Sequence, residues 1–279
     1  MSSDPSPSCL VLGKVSAMNE TSIAETTSES EKPRRFHFDW LLPAVIRPRK
    51  TFEQIAHAPG SVWLAPIVVL MALALARVMA AGVIQQATGG GINELPPDFQ
   101  YWSPDQQAQF QQAAAMTSNP VFVFVFPAII TVLTIWVSWL IVGGLLNLSM
   151  ALFGARGGGA AIMNLAAWSF IPFGVRDVVQ TIALIATQRP IQGAGLAGFA
   201  PADGGILSAI IVIALGLIDL YVIWHVILLR VGVGATGGLS SGRAWASTLL
   251  VMFLSLAGQM IIGFIGLQLS QLTVGRFFF

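Results

Sequence analysis

Two long stretches of the sequence contain no charged side chain. No Asp, Glu, Lys or Arg occurs between Asp105 and Arg156, and none occurs from Ala244 to Gly275. Uncharged apolar segments of about 18 residues or more are typical of transmembrane helices. A soluble fold would need a polar exterior to cover them, but only 10% of the residues are charged, against about 25% in ordinary soluble domains. The sequence therefore predicts an integral membrane protein.

Five apolar segments predict an all-α, polytopic membrane bundle. The predicted spans are residues 62–84, 121–153, 160–187, 205–229 and 244–269, within a membrane domain of residues 62–270. Residues 1–33 are rich in Ser, Thr and Glu and lack the apolar run of a cleaved secretory signal, so we expect a disordered tail. Met18 is a second candidate for the start of translation. Residues 34–61 are predicted to lie at the membrane surface.

The basic residues predict the orientation of the chain. Cytoplasmic segments of membrane proteins carry the excess of Lys and Arg. With the N-terminus inside, the loops and flanks on the cytoplasmic side contain Arg34, Arg35, Arg47, Arg49, Lys50, Arg156, Arg230 and Arg243. The opposite side contains Arg189 and Arg276, and the long first loop has only acidic charges. We therefore expect a cytoplasmic N-terminus and an external C-terminus.

Basic and aromatic residues alternate in the segment before the first span. Arg47, Arg49 and Lys50 follow a stretch that contains Phe36, Phe38 and Trp40, a pattern typical of segments that lie along lipid headgroups. Each such cation near an anionic lipid surface contributes about 1 kcal/mol of attraction. Two interpretations stay open: these three residues face lipid and bind it, or their charges only set the topology.

Four ionisable residues fall inside the predicted spans: Arg77, Arg176, Asp177 and Asp219. Each costs at least about 2.5 kcal/mol at the centre of a bilayer. Their depths, counted from the cytoplasmic ends of the spans at 1.5 Å per residue, agree within roughly 8 Å, and their formal charges cancel. We therefore predict a buried polar cluster that joins spans one, three and four through Arg77–Asp177 or Arg176–Asp219 pairs.

This cluster has a structural and a functional interpretation. The structural one is registration of the helices, with Arg77 extending toward the outer headgroups. The functional one is a proton or ion path, helped by Pro172, since transporters use helices broken near the midplane. A path normally needs a polar lining in both directions, which favours the structural interpretation.

No catalytic, cofactor or metal site is predicted. Two glycine-rich stretches, 193–198 and 232–237, match a dinucleotide-binding pattern by letter, but neither follows a β-strand. The stretch 238–242 matches a hydrolase nucleophile pattern, but no histidine follows its serines. The three histidines have no ligand spacing, and Cys9 is the one cysteine. A net charge of +1 argues against nucleic acid as a partner.

Several short motifs occur in the order found in a known membrane family. They are Arg47-Pro48-Arg49-Lys50-Thr51-Phe52-Glu53-Gln54-Ile55 with Trp63 and Pro66, Leu152-Phe153-Gly154, Ala166 to Pro172, Ile223-Trp224, and Gly238 to Ala244. Over residues 40–270 the chain resembles the Yip membrane domain, a family named for eukaryotic relatives that interact with Rab-type GTPases. With its Gln-rich first loop and its Gly- and Ala-rich spans, the chain resembles a bacterial member, and this resemblance implies a location in the cytoplasmic (inner) membrane of a bacterium.

The resemblance implies five helices, a cytoplasmic N-terminus and no catalytic residues. Eukaryotic members act in vesicle traffic and membrane shaping, whereas bacterial members mostly have no assigned activity. The expected function is therefore that of a non-enzymatic protein without a cofactor that organises the membrane or partner proteins. Its expected partners are the lipid bilayer and other proteins or further copies of the chain. The alternative is a small transporter or channel that uses the Arg/Asp cluster.

Overall fold

Helices form all the regular secondary structure in the described part of the chain. The computed structural model describes residues 36–87, 98–155, 158–189, 195–199, 205–236 and 238–278. Its α-helices are α1 (Leu41–Ile46), α2 (Pro48–Ala56), α3 (Leu64–Ala87), α4 (Pro104–Ser118), α5 (Phe126–Leu152), α6 (Gly159–Ser169), α7 (Ile171–Thr187), α8 (Ile206–Gly216), α9 (Leu220–Ala235) and α10 (Ser241–Phe278). A π-helical turn (Val121–Val125) leads into α5, and 3-10 turns occupy Phe38–Trp40, Phe99–Tyr101 and Ala197–Phe199. The predicted all-α class is confirmed. The predicted tail, residues 1–33, lies outside the described residues.

Four helical segments are long and apolar enough to cross a bilayer. They are Leu64–Ala87, Val121–Leu152, Gly159–Thr187 and Ser241–Gln268. A fifth candidate, Ile206–Gly216 with Leu220–Ala235, is bent by 55° between its halves. The described residues thus contain four spans, or five when the bent pair counts as one, which confirms the polytopic bundle. The limits of the tail and of the surface segment remain predictions.

The predicted third span is interrupted one turn from Pro172. The α6 helix ends at Ser169, and Phe170 leads directly into α7. Pro172 lies in the first turn of α7, where a missing N–H breaks no intrahelical hydrogen bond. The interruption therefore follows from proline chemistry that the sequence displays.

The predicted fourth span is two helices, because Asp219 starts a new helix in its middle. Asp219 is extended (φ −140°, ψ 174°), and its Oδ1 accepts a 2.7 Å hydrogen bond from the Val222 N–H, as an N-cap residue does. The break frees backbone carbonyls, and the Leu196 N–H donates to two of them, Leu215 O at 2.9 Å and Ile218 O at 3.2 Å. A loop that precedes α8 thus stabilises the bend.

Gly195 permits that close approach. Its φ is +54°, a conformation that L side chains rarely adopt, and a Cβ there would lie 2.6 Å from Ile218 O. This glycine belongs to the stretch that matches a dinucleotide-binding pattern by letter. In the structure its role is to let one loop contact the bend.

The second helix, α2, packs against α6 and α9. Phe52 and Ile55 of α2 are fully buried, and a Cβ on Gly232 of α9 would lie 2.9 Å from Phe52 Cδ1. We call the buried residues of this region the N-terminal layer: Ala44, Phe52, Ile55, Val62, Ala65, Leu165, Trp168 and Leu228. The segment before the first span is therefore part of the packed fold.

Side chains of α6 also hold the turn between α2 and α3. The amide of Asn164 accepts from the Val62 N–H at 3.0 Å and donates to Gly60 O at 2.9 Å. The indole of Trp168 donates to Val62 O at 3.0 Å. These three bonds satisfy backbone groups that would otherwise be costly to bury.

Two local sequence patterns predict helix starts: Ser103-Pro104-Asp105-Gln106 predicts a capping box, and Thr51 predicts the cap of a short helix over residues 52–58. At α4, the Ser103 Oγ accepts from the Gln106 N–H at 3.3 Å and the Gln106 side chain accepts from the Ser103 N–H at 3.1 Å, which confirms the capping box expected from this spacing. By contrast, Thr51, expected to cap a helix starting at Phe52, lies inside α2. That helix starts earlier because Pro48 suits its first turn.

Candidate functional site

The four charged residues of the spans form two ion pairs. Arg77 Nε lies 2.8 Å from Asp177 Oδ1, and Arg176 Nη1 lies 3.3 Å from Asp219 Oδ2. The two pairs share α7, because Arg176 and Asp177 are consecutive. The structure therefore brings both of the predicted pairs together; whether they serve registration or conduction stays a prediction.

The first pair joins α3 to α7. Asp177 is almost fully buried, and the Arg77 side chain is 31% exposed. The Nε of Arg77 thus points inward to a carboxylate. This position differs from the expected one, in which the side chain extends toward the outer headgroups. In a low-dielectric interior such a contact is strong, and loss of one partner leaves an uncompensated charge.

The second pair joins α7 to the bend between α8 and α9. Asp219 divides its oxygens between two tasks, since Oδ1 caps α9 while Oδ2 receives Arg176. The Arg176 guanidinium carbon also lies 4.9 Å from the ring centre of Phe173, a favourable cation–π distance. Its buried Nε has no hydrogen-bond partner in the described structure.

Three of the four charged residues, Arg77, Arg176 and Asp177, border a cavity of about 300 Å³ in the bundle. Its lining comes from all five spans, with residues from α3, α5, α7, the bent pair and α10. The polar lining consists of Arg77, Thr131, Thr134, Ser138, Arg176, Asp177, His225, Ser255 and Gln259. The remaining lining is apolar, including Leu70, Val142, Phe170 and Leu217. We call this space the central cavity.

His225 belongs to the cavity lining and not to the membrane surface. Because His225 follows Trp224 near the cytoplasmic end of the predicted fourth span, the sequence alone predicts an interfacial side chain. In the structure it is only 1% exposed, its Nδ1 lies 2.6 Å from Ser169 O, and its ring contacts Phe170 and Phe173. The interfacial interpretation was wrong, because the bend in span four and the α6–α7 break enclose this residue.

Sequence reasoning also missed the hydroxyl groups of the cavity. Thr131, Thr134 and Ser138 lie on α5 at spacings of three and four residues, which places them on one helix face. Ser255 and Gln259 have the same relationship on α10. The helical spacing of polar residues within apolar spans was the available signal, but which faces meet is a tertiary property.

The basic surface residues lie apart from the central cavity. Arg47, Arg49 and Lys50 are exposed at the start of α2, while Phe52 of the same helix is buried in the N-terminal layer. Arg49 borders a second, larger cavity of about 660 Å³ together with Glu53, Arg230, Ser241 and Trp245. The chain thus has an internal polar site and a separate basic surface.

The profile of the Yip1 domain matches residues 44–263. The chain belongs to the Yip1 domain family. The matched part of this Yip1 domain protein runs from α1 into α10, so it includes the N-terminal layer, both ion pairs and the central cavity. The resemblance found in the sequence is confirmed.

A bacterial protein is similar over most of its length. Membrane protein YknW of Bacillus subtilis (strain 168) is 24% identical to this Yip1 domain protein over 247 residues, which cover 83% of this chain and 91% of the relative. This similarity supports the bacterial type expected from the sequence. No solved structure matches the chain.

Proposed function

We propose that this Yip1 domain protein is a non-enzymatic organiser of the membrane that gathers anionic lipids and partner proteins at the cytoplasmic ends of its spans. The observation that carries this proposal is the position of α2. Its Phe52 and Ile55 are fully buried against the bundle, while Arg47, Arg49 and Lys50 beside them are exposed. The burial of α2 therefore fixes the positions of the three cations at the surface of the bundle.

Exposed apolar side chains accompany these cations. Phe36, Phe38, Leu42 and Ile46 are between 48% and 68% exposed. Apolar side chains next to basic ones suit a segment that inserts shallowly among headgroups. Since each cation adds about 1 kcal/mol near an anionic surface, three fixed cations favour a local excess of anionic lipid.

The experiment removes these charges and measures what remains bound. We expect Arg47→Gln/Arg49→Gln/Lys50→Gln protein, purified from native membrane, to retain fewer anionic lipids or less of a stoichiometric protein partner than the wild type. The readout is mass spectrometry of co-purified lipids and proteins at two salt concentrations, because surface attraction is screened by salt. The matched control, Arg189→Gln/Arg243→Gln/Arg276→Gln, removes three charges elsewhere. If the variant retains as much anionic lipid and partner protein as the wild type, and only its orientation in the membrane changes, then these charges set the topology alone.

A second candidate function is transport, favoured by the central cavity among the five spans. Two of these spans are broken next to it, a construction that transporters use around their binding sites. The variants Asp219→Asn and Arg77→Ala separate the candidates when protein abundance and solute flux in vesicles are both measured. Loss of abundance alone supports a structural cluster, whereas loss of flux at normal abundance supports transport.

A further inference from the structure

We propose that the central cavity binds a singly charged oxyanion, a carboxylate or a phosphodiester, which enters between α5 and α10. This binding site is independent of the organising function proposed above. It follows from the guanidiniums of the lining, from buried donors without partners, and from the position of the opening.

The lining presents two guanidiniums and one carboxylate. Arg77 and Arg176 both border the cavity, and Asp177 is the acidic residue that borders it with them. Asp219 is occupied elsewhere, since its two oxygens accept from the Val222 N–H and from Arg176. A guanidinium has five N–H donors in a planar fork that matches an oxyanion. Because Asp219 neutralises Arg176, the attraction for an oxyanion would come from N–H donors without a partner, such as Arg176 Nε, and not from a net charge.

Two buried donors of the lining have no partner in the described structure. They are Arg176 Nε and the Ser255 hydroxyl, and Ser255 is only 8% exposed. Folded proteins satisfy nearly all such groups, because a buried donor without an acceptor loses its hydration and gains nothing. Since both donors belong to one cavity, a single oxyanion there would accept from both.

The exposed residues of the lining indicate that the cavity opens between α5 and α10. The hydroxyls of Ser149 on α5 and Ser247 on α10 are 2.8 Å apart and buried. Farther along the same helices, Thr134 and Gln259 border the cavity and are exposed. A molecule can therefore approach the arginines past Thr134 and Gln259.

The anion has two possible sources, a lipid headgroup and a soluble carboxylate, and only the lipid carries long apolar chains. The outward faces of α5 and α10 are exposed and apolar, with Leu133, Val137 and Phe253 each more than half exposed, so lipid surrounds the opening. A lipid phosphodiester could enter from the side with its chains left in the bilayer. A free carboxylate would enter from the aqueous side.

The test measures thermal stabilisation of the purified full chain in an uncharged detergent. The probes are dihexanoylphosphatidylglycerol, its uncharged counterpart dihexanoylglycerol, and sodium acetate against sodium chloride at equal ionic strength. A ligand that binds only the folded protein raises the melting temperature as its concentration passes its Kd. We expect saturable stabilisation by the phosphatidylglycerol for a lipid ligand, or by acetate for a soluble one. No stabilisation by either anion, or equal stabilisation by dihexanoylglycerol, would overturn the proposal and leave a cavity for water or hydrocarbon.

Two variants locate the binding in the cavity. Ser255→Ala should weaken binding of the effective probe about tenfold, as expected for one hydrogen bond to a charged group, without lowering the melting temperature of the free protein. Arg176→Gln/Asp219→Asn removes one charge of each sign and should weaken binding more than tenfold. Ser118→Ala, on the exposed face of α4, is the matched control. Wild-type affinity in both cavity variants would contradict the assignment.

Discussion

Arg77 and Asp177, one hundred positions apart in the sequence, are joined by a hydrogen bond of 2.8 Å between Nε and Oδ1. This contact fixes the register of α3 against α7, two helices that pack along much of their length. It also places a guanidinium at the edge of the central cavity.

We expect Arg77→Gln to destabilise the protein, because it leaves the buried carboxylate of Asp177 without its cation. Removal of one partner of a buried pair costs about 3 kcal/mol in soluble proteins. The double variant Arg77→Gln/Asp177→Asn, whose amides can still hydrogen-bond, should recover most of this loss. Thermal unfolding in detergent, followed by fluorescence-detected size exclusion, measures both. Equal stability of the single and double variants would show that the pair is not coupled.

Asn164→Ala should also destabilise the protein, because the side chain accepts from the Val62 N–H and donates to Gly60 O. Each buried backbone group left without a partner costs about 1–3 kcal/mol. Asn147→Ala is the matched control, since Asn147 is exposed on α5. Limited proteolysis between α2 and α3 should accelerate in the first variant and stay unchanged in the control. Equal cleavage rates would mean that this turn is held by other contacts.

Gly232→Ala and Gly258→Ala should have different effects on the free energy of unfolding. A Cβ on Gly232 would lie 2.9 Å from the fully buried Phe52 ring, whereas a Cβ on Gly258 would meet no atom within 4 Å. Overpacking at the first position should cost about 1–3 kcal/mol, while the second change should be neutral or stabilising by about 0.5 kcal/mol. The measurement is the melting temperature of each purified variant. A stable Gly232→Ala protein would argue against close packing of α2 on α9.

The predicted orientation can be tested with single cysteines. In a Cys9→Ser background, Lys50→Cys should react with a membrane-impermeant maleimide only after permeabilisation. Asp105→Cys should react in intact spheroplasts, because the first loop is predicted to lie outside. Both residues are exposed in the fold, so burial does not confound the comparison. The reverse labelling pattern would place the N-terminus outside and remove the basis for the proposed cytoplasmic lipid surface.

Local chemistry explains which features the sequence predicted well. The capping box at Ser103 and Gln106 depends on four consecutive residues, and the interruption near Pro172 depends on one missing N–H. The four intramembrane charges could also be found and paired by depth, since 1.5 Å per residue converts position into height. The bend at Asp219 also has a local signal, because Asp is a common N-cap residue and here it lies within an apolar run.

Distant contacts explain what could not be predicted. The sequence alone predicts an interfacial His225, whereas in the structure the junction of α6 and α7 covers this residue of α9. In the sequence Thr131 and Ser255 are isolated hydroxyl residues of two apolar spans. In the structure the packing of α5 and α10 places both of them in the lining of the central cavity. The rotation of each helix about its own axis decides these contacts, and hydropathy carries little information about that rotation when a helix is apolar on every side.

The sequence by itself determined the membrane class, the all-α fold and the Yip1 family, because these depend on long charge-free stretches and on short motifs in order. Only the tertiary structure decided that the two ion pairs meet at α7 beside one cavity and that α2 is packed into the bundle. The physical reason is the range of the interactions. Lipid solvates each apolar segment separately, so hydropathy alone indicates the spans. A hydrogen bond between residues one hundred positions apart forms only when two helices pack together with the right faces in contact.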